Sequence, residues 1–438
     1  AVEVGTVTID ALKEPAESRE VHEIYDHYAN PDFTKRDVLT DKFDRIPDVL
    51  KVPDSLYSRV SFWFDVYTKY SSHYEIIHHR DYPWIVLEVL DLRKFYEGND
   101  HKWTKYHRAR KYVSQEKAKI RNTLRRLARL RSFSRVSEDE QRYIDMISAI
   151  PGRSIKSKLL STANRLRTQL GQKDFHKSGL ANSSQYLPQM EQIFAQYDLP
   201  VELTRLPLVE SSFNEKAVSK VGASGVWQFM PSIGKKYLKV GERIDERNSP
   251  VKATGAAAQL MLENFRIMKS WPLAVTAYNH GPGGVKLASR KARSTDLATM
   301  IEKYDSARFG FASKNFFACF LAALHSERYQ EELFGDIPRK EPLQFEDVRL
   351  TRNVRVHTVA EVLGLTLEEV KLYNQDLKAR SIQTNVYLPV GYNLHVPLGR
   401  KAKMEMYLED ARTRSVGTRE AKTKYARSES KQSRQTQN

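Results

Sequence analysis

Leu203-Thr204-Arg205-Leu206-Pro207-Leu208-Val209-Glu210-Ser211-Ser212 decides how this chain is read, because of two motifs downstream of it. Eleven residues beyond Ser211 comes Gly222-Ala223-Ser224-Gly225-Val226-Trp227-Gln228, and further on Ala277-Tyr278-Asn279-His280-Gly281-Pro282-Gly283. One acid, a glycine-hinged loop ending in an amide, and a Tyr-Asn pair make a set suited to sugar chemistry when they occur in this order within about one domain's length. Each piece alone has a plain structural reading: an ion-paired glutamate, an ordinary loop, a packing tyrosine. Leu203 and Leu206 stand seven and four residues before Glu210, so a helix would place all three on one face. Pro207 can kink that helix. A carboxyl on an apolar face loses solvation, and its pKa rises until it is protonated near neutral pH, as a general acid requires. The plain alternative is a salt bridge, with Arg205 the nearest candidate. Gly222 and Gly225 allow backbone conformations and close approach that a Cβ would block. Gln228 offers a donor and an acceptor together, suited to sugar hydroxyls and an N-acetyl group. Trp227 and Phe229 offer flat area for sugar faces, or one of them serves the core.

The rest of the chain bounds the answer. Its 438 residues allow two to four domains, and 40% hydrophobic against 29% charged residues make it globular in the main. A formal net charge of +17 favours polyanions without choosing among nucleic acid, anionic lipid and acidic wall polymers. The single cysteine, Cys319, excludes an intrachain disulfide and reads as a buried thiol. No run is apolar for long enough to span a bilayer. The chain opens on Ala1 without a basic-then-apolar leader, as in an exported form whose signal has been removed, or a trimmed chain. The first residue is not cysteine, so no N-terminal lipid anchor is expected. The histidines are scattered, and His78-His79 on a strand would point to opposite faces, so no metal or other cofactor is expected.

Local patterns give an α+β chain, mainly α. Residues 1–55 read as a polar, partly ordered lead-in. Val60–Tyr67, Tyr74–Ile77 and Trp84–Leu90 read as strands of a small β element near 57–95. From 100 to 170 the pattern is helical and basic: Ile120, Leu124, Leu127 and Leu130 recur at helical spacing between arginines. An amphipathic helix with a solvated basic face is the expectation, and no nucleic-acid-binding motif is visible. Met190, Ile193, Phe194 and Tyr197 share a helical face. Ser249-Pro250 and Ser270-Trp271-Pro272 open helices, and Ser313 caps a last one that turns Phe317, Phe320, Leu321 and Leu324 inward. Val354–Val356, two short helices and Tyr392–Pro397 make a β-α-α-β unit. Beyond 400 the chain is basic, and is expected to be disordered or weakly helical.

Taken together, the motifs in 180–335 resemble the catalytic domain of lytic murein transglycosylases of the soluble-transglycosylase type, nearest the membrane-bound D subgroup. Glu210-Ser211 matches that family's Glu-Ser, Gly222 to Gln228 its Gly-x-x-Gly-x-x-Gln, and Ala277-Tyr278-Asn279 its Ala-Tyr-Asn. The resemblance implies a goose-type-lysozyme-like helical fold, with Glu210 as catalytic acid and Ser211, Ser219, Gln228, Tyr278 and Asn279 as substrate-binding residues. One departure stands out. In the last helix Phe316 occupies the place of a family tyrosine, which puts a cleft hydroxyl in question. Residues 354–398 resemble a degenerate LysM module, with His357-Thr358-Val359 in place of its usual Gly-Asp-Thr opening.

The implied organisation is an N-terminal region 1–179 of β element and basic helices, a lysozyme-like domain 180–335, a LysM-like module 345–399 and a basic tail 400–438. The implied activity is carbon–oxygen lyase cleavage of the MurNAc-β-1,4-GlcNAc bond in peptidoglycan, leaving 1,6-anhydro ends, in the periplasm or outside the cell. Anionic wall or membrane-surface polymers are further partners that the charge suits. A single acid suffices because the substrate supplies both stabiliser and nucleophile. A lysozyme-like hydrolase would want a second carboxylate, and the nearest paired candidates, Asp245 and Glu246, have flanking arginines that read as surface ion pairs. A silent wall-binding protein on the same fold and a nucleic-acid-binding protein built on the basic helix are the competing readings.

Overall fold

Phe311-Ala312-Ser313-Lys314-Asn315-Phe316-Phe317-Ala318-Cys319-Phe320-Leu321-Ala322-Ala323-Leu324 is apolar on every helical face, so its helix must be enclosed rather than laid on a surface. In the computed structural model, which describes residues 28–152 and 154–410, the helix is enclosed. It runs Phe311–Arg328 and buries almost everything from Ser313 to Glu327. Around it pack the helices Tyr57–Thr68, Leu206–Glu210 and Trp271–His280. Each fully buried Phe or Leu contributes about 1.5–3 kcal/mol relative to exposure, so this one helix anchors much of the fold.

The described residues fall into two compact units, one drawn from 1–228 and 254–340, the other from 229–253 and 341–438. The boundary expected at 179/180 lies inside the first unit. In chain order that unit contains α1 (Tyr57–Thr68), β1 (Tyr74–His79), β2 (Val86–Asp91), α2 (Lys102–Arg129), α3 (Glu138–Ser148), α4 (Ile155–Asn164), β3 (Leu166–Leu170), α5 (Leu187–Gln196) and α6 (Leu206–Glu210). It continues with α7 (Pro250–Met268, whose first turn belongs to the second unit), α8 (Trp271–His280), α9 (Pro282–Ala292) and α10 (Phe311–Arg328).

The small β element is a three-stranded antiparallel sheet of order β2-β1-β3. Its third strand comes from 166–170, and the expected strand at Val60–Tyr67 is instead the body of α1. Val60, Phe62, Trp63, Phe64, Val66 and Tyr67 are all buried, so only the narrow stripe Ser58, Ser61 and Asp65 is left to betray a helical period. The basic helix α2 buries Ala109, Val113, Ile120, Leu124 and Leu127 in one core with Ile77, Leu90, Tyr143, Ile147 and Leu159. Its arginines stay at the rim, Arg110 pairing with Glu75 at 2.9 Å. The last helix begins at Phe311 behind Gly310, so Ser313 lies in its first turn and is not its cap. Cys319 is buried.

In the second unit the β-α-α-β expectation is redrawn. β4 (Phe345–Arg349) pairs with β7 (Asn393–Pro397), and β5 (Val354–Arg355) pairs with β6 (Tyr387–Leu388). Between them lie α11 (Val356–Leu363), ended by Gly364 in a left-handed cap, and α12 (Leu367–Tyr373), opened by a Thr366/Glu369 capping box. Residues 401–410 are helical, and Met404 and Leu408 enter this unit's core. The tail beyond 410 and residues 1–27 of the lead-in lie outside the described residues.

Residues 229–253 form a strap on the same core. Asp245 N–H donates to Asp376 O at 2.8 Å and Lys378 N–H to Arg243 O at 3.2 Å. Lys252 Nζ bonds Asp376 Oδ2 at 2.9 Å, with side chains 8% and 0% exposed. Asp376 also accepts from the Tyr392 hydroxyl at 2.9 Å. Breaking such a buried pair from one side strands a charge and costs about 3–5 kcal/mol. Lys252→Met should therefore destabilise this unit by that amount in urea unfolding, and Lys252→Met with Asp376→Leu should recover most of the loss.

Candidate active site

Pro207 sits in the first turn of α6, where its missing N–H leaves no intrahelical bond unmade. A 3-10 turn, Val201–Arg205, leads in, and Leu203, Leu206 and Leu208 are buried beneath. Glu210 is the last residue of α6. The chain then turns through two non-glycine residues in the left-handed region, Ser212 (φ 50°) and Phe213 (φ 49°). Phe213 is fully buried, and its packing holds this uncommon backbone.

Glu210 is half-buried, open to solvent on one side. Among the described residues its carboxyl has no hydrogen bond or ion pair. Arg205, the expected partner, bonds Glu327 at 3.0 Å and also pairs with Glu191. With no cation to offset the loss of water, desolvation raises the Glu210 pKa from 4.5 to about 8. The solvent-open side tempers the size of this shift and leaves its direction. The neighbours that feel its charge are Tyr278, Tyr67 and Cys319. Tyr67 and Cys319 hydrogen-bond each other, and burial pushes both well up. Neither is legible as a site residue in the sequence, since Tyr67 sits in a strand-like segment far away along the chain.

The loop after Glu210 is bound together by its own polar atoms. Ser211 Oγ donates to Val226 O at 2.9 Å. Ser219 N–H donates to Ala223 O at 2.8 Å, and Ser219 Oγ accepts from Ala223 N–H at 2.8 Å. Gly222 (φ 87°) and Gly225 (φ 76°) take the backbone conformations the sequence suggests. Gln228 Nε2 donates to Ala217 O at 3.1 Å and Gly225 O at 2.8 Å. Both amide hydrogens are thus spent on the loop, and two carbonyl acceptors fix the amide's orientation. What Gln228 has left for a ligand is its carbonyl oxygen.

Trp227 is no sugar platform. It is fully buried, stacked on Phe194 at 5.8 Å, and its Nε1 donates to Thr254 Oγ1 at 2.9 Å. Phe229 is buried as well. The Tyr278 hydroxyl donates to Trp227 O at 2.8 Å, which ties α8 to the end of the loop. Phe316 lies beside Tyr278 with rings nearly parallel at 6.4 Å, so the helix position in question does face this cluster. Asn279 Oδ1 is shielded from solvent without a partner. His280 Nδ1 meets Ser313 Oγ at 2.9 Å, and Gly284 is required beside it, since a Cβ there would fall 2.5 Å from the His280 ring.

Glu210, Ser211, Ser219, Gln228 and Tyr278 are therefore joined through one loop and α8, with Asn279 next to Tyr278. Asp245 and Glu246 belong to the strap of the second unit. The Asp245 ion pair with Arg247 is buried, at 2.7 Å, rather than on the surface. His78 packs on Phe62 while His79 Nδ1 accepts from Asp81 and Tyr82 N–H groups, so the two rings serve separate environments. Among the described residues no group of three or more His, Cys, Asp or Glu could hold a metal ion, and no helix is long and apolar enough to cross a membrane.

Residues 191–301 match the family described as the Transglycosylase SLT domain. All six site residues fall within that span. The chain is 29% identical over 191 residues to the membrane-bound lytic murein transglycosylase D of Escherichia coli strain K12, covering 42% of this chain and 41% of the relative. It is 38% identical over 90 residues to a putative tributyltin chloride resistance protein of Alteromonas sp. strain M-1, covering 20% of this chain and 44% of that one. The chain thus spans less than half the length of each of these relatives.

A carboxyl whose folded-state pKa is raised to about 8 favours folding while protonated, and that advantage over the unfolded chain is lost as pH rises from 4.5 through 8. Glu210→Gln removes the ionisation. Its unfolding free energy should match the parent's at pH 3.5, below both pKa values, and exceed it by about 1–3 kcal/mol at pH 9, after discounting for the solvent-open side. Chemical denaturation at the two pH values measures this.

Proposed function

We propose that this chain is a peptidoglycan lytic transglycosylase that cleaves the MurNAc-β-1,4-GlcNAc bond with a single acid, Glu210. The observation that carries the reading is a half-buried carboxyl, raised to about 8, with phenols and a thiol around it and no cation beside it. The match of 191–301 to the Transglycosylase SLT domain and the likeness to a lytic murein transglycosylase support it.

Protonated Glu210 gives its proton to the glycosidic oxygen as the C1–O bond breaks. The substrate's N-acetyl oxygen shares its electrons with the developing cation at C1. Glu210, now a carboxylate, takes the proton from the muramic O6 hydroxyl, and that oxygen closes on C1 as a 1,6-anhydro ring. The acid ends as it began, protonated, so neither water nor a second carboxylate is consumed. Desolvation serves both halves: it keeps the acid protonated at the start and makes the carboxylate a stronger base afterwards.

Tyr278, anchored by its bond to Trp227 O, is held as a neutral phenol near the acid, whose charge it feels. The Gln228 carbonyl accepts from the substrate's N-acetyl N–H or a hydroxyl, while its amide hydrogens hold the loop. Ser211 and Ser219 set the loop's shape, and Asn279 Oδ1 awaits a donor. With Phe316 in place of a phenol, substrate positioning relies more on Tyr278. The second unit is read as LysM-like, and the periplasm or the cell exterior, where peptidoglycan lies, as the place of action.

Mass spectrometry of muropeptides from purified sacculi tests this. The parent chain should release anhydro-ended products, and Glu210→Gln should release fewer by about 10²–10⁴-fold. Reducing ends would indicate a hydrolase, and no product from either chain a binding protein. The acid must be protonated to act, so kcat/KM should fall as pH rises through about 8. Tyr278→Phe should lower kcat by about tenfold and move that alkaline limb, with KM nearly unchanged.

A further inference from the structure

An open groove of the first unit shares no residue with the Glu210 cluster. It runs between β2 and α2, holds about 700 Å³ with a broad side open to solvent, and counts Tyr143 of α3 in its lining. That volume is within the range of ordinary ligand sites, about 300–1,000 Å³. Among the described residues β2 has no strand on this side, since the sheet order is β2-β1-β3. Val89 N–H instead bonds the side chain of Glu88 at 3.3 Å, as an edge donor does when no neighbouring strand takes it. The floor is apolar, with Leu90 and Ile120 buried. Tyr112 and Tyr143 stand in the walls, each with a cation over its ring, Lys94 at 4.6 Å and Arg142 at 5.1 Å. One face of each ring is thereby covered by a cation.

Charge selects the ligand class. Four carboxylates and three cations line the groove, and they largely pair with one another: Asp91 with Arg93 at 2.6 Å, Glu116 with Lys119 at 2.6 Å. On a chain of net charge +17 this groove has no excess of cations, so it does not suit a polyanion. It offers paired charges, phenols and a row of backbone amide groups over an apolar floor. That is a match for a neutral chain rich in hydroxyl and amide groups.

We propose that this groove is a second binding site, for a neutral N-acetylated glycan chain. The proposal rests on the glycan substrate proposed above and adds a place where uncut strand is held. A strand bound there raises the effective concentration of neighbouring strand at the acid without adding to the chemistry.

The test uses the full chain with Glu210→Gln, which holds glycan without cutting it, and tetra-N-acetylchitotetraose as probe. Hydrogen–deuterium exchange should slow in segments covering 88–97 and 112–123, in addition to any slowing in 210–228. Thr123→Arg, which fills the groove, should weaken retention on insoluble chitin, a neutral N-acetylated glycan, by about tenfold. In the parent background it should leave turnover of a short soluble oligomer unchanged. Lys119→Ala, at the exposed rim, should weaken retention by about threefold should Thr123→Arg fail to fold. Slowing confined to 210–228, or slowing at 88–97 by released stem peptides with none by the chitotetraose, would overturn the proposal. An inactive parent chain that still shows protection at 88–97 would sink the proposed activity and leave this site standing.

Discussion

Everything at the candidate site depends on keeping one carboxyl away from every cation in a chain that carries 71 lysines and arginines. Any of them within a few ångströms would pull the acid back to the ordinary carboxylate range. A buried cation close to the acid along the chain is committed elsewhere. Arg205, five residues before Glu210, is enclosed by Glu191 and Glu327. The surfaces left around Glu210 are a phenol on α8, a phenol on α1 and a thiol on α10. All are polarisable, and burial keeps all of them neutral. The enclosed helix α10 makes this possible, since it backs α6 and α1 at once.

The second requirement is a loop that keeps its shape without leaning on the acid. Its backbone groups are satisfied internally by Ser219, Gln228 and Ser211, so the loop need not borrow the carboxyl as a hydrogen-bond partner. Tyr278 closes the arrangement by bonding the backbone of Trp227, whose ring is fixed in the core by Phe194 and Thr254. The Gln228 amide thus has two duties, with hydrogens holding the loop and oxygen left for a ligand. A static hydrogen-bond network of this kind prearranges the acid's surroundings before substrate arrives.

The acid, the glycine hinges and the Tyr-Asn pair are legible in the sequence because each is a local pattern of residue types at short spacing. So is the basic helix 102–129, whose apolar positions keep a helical period. The strand reading of Val60–Tyr67 fails because this helix shows solvent only a narrow stripe, Ser58, Ser61 and Asp65, and buries the rest of its circumference. Ser313 is not the expected cap because its hydroxyl serves His280 and not the helix start. The roles of Trp227 and Gln228 are only partly legible, since their partners are Phe194, Thr254 and backbone carbonyls that no spacing rule identifies. The contribution of Tyr67 to the acid's surroundings is invisible in the sequence, being a contact between residues more than 140 positions apart. The strap 229–253 is hidden for the same reason: its partners, such as Asp376, lie beyond the helices that come after it.

The central claim is the protonation state of one side chain. Carbon-13 NMR of the folded full chain, with glutamate labelled at the carboxyl carbon and Glu210 assigned by loss of its signal in Glu210→Gln, reads it directly. The account predicts a carboxyl that stays protonated through neutral pH and titrates near 8. A Glu210 signal already ionised at pH 6, titrating near the ordinary value of 4.5, would contradict it.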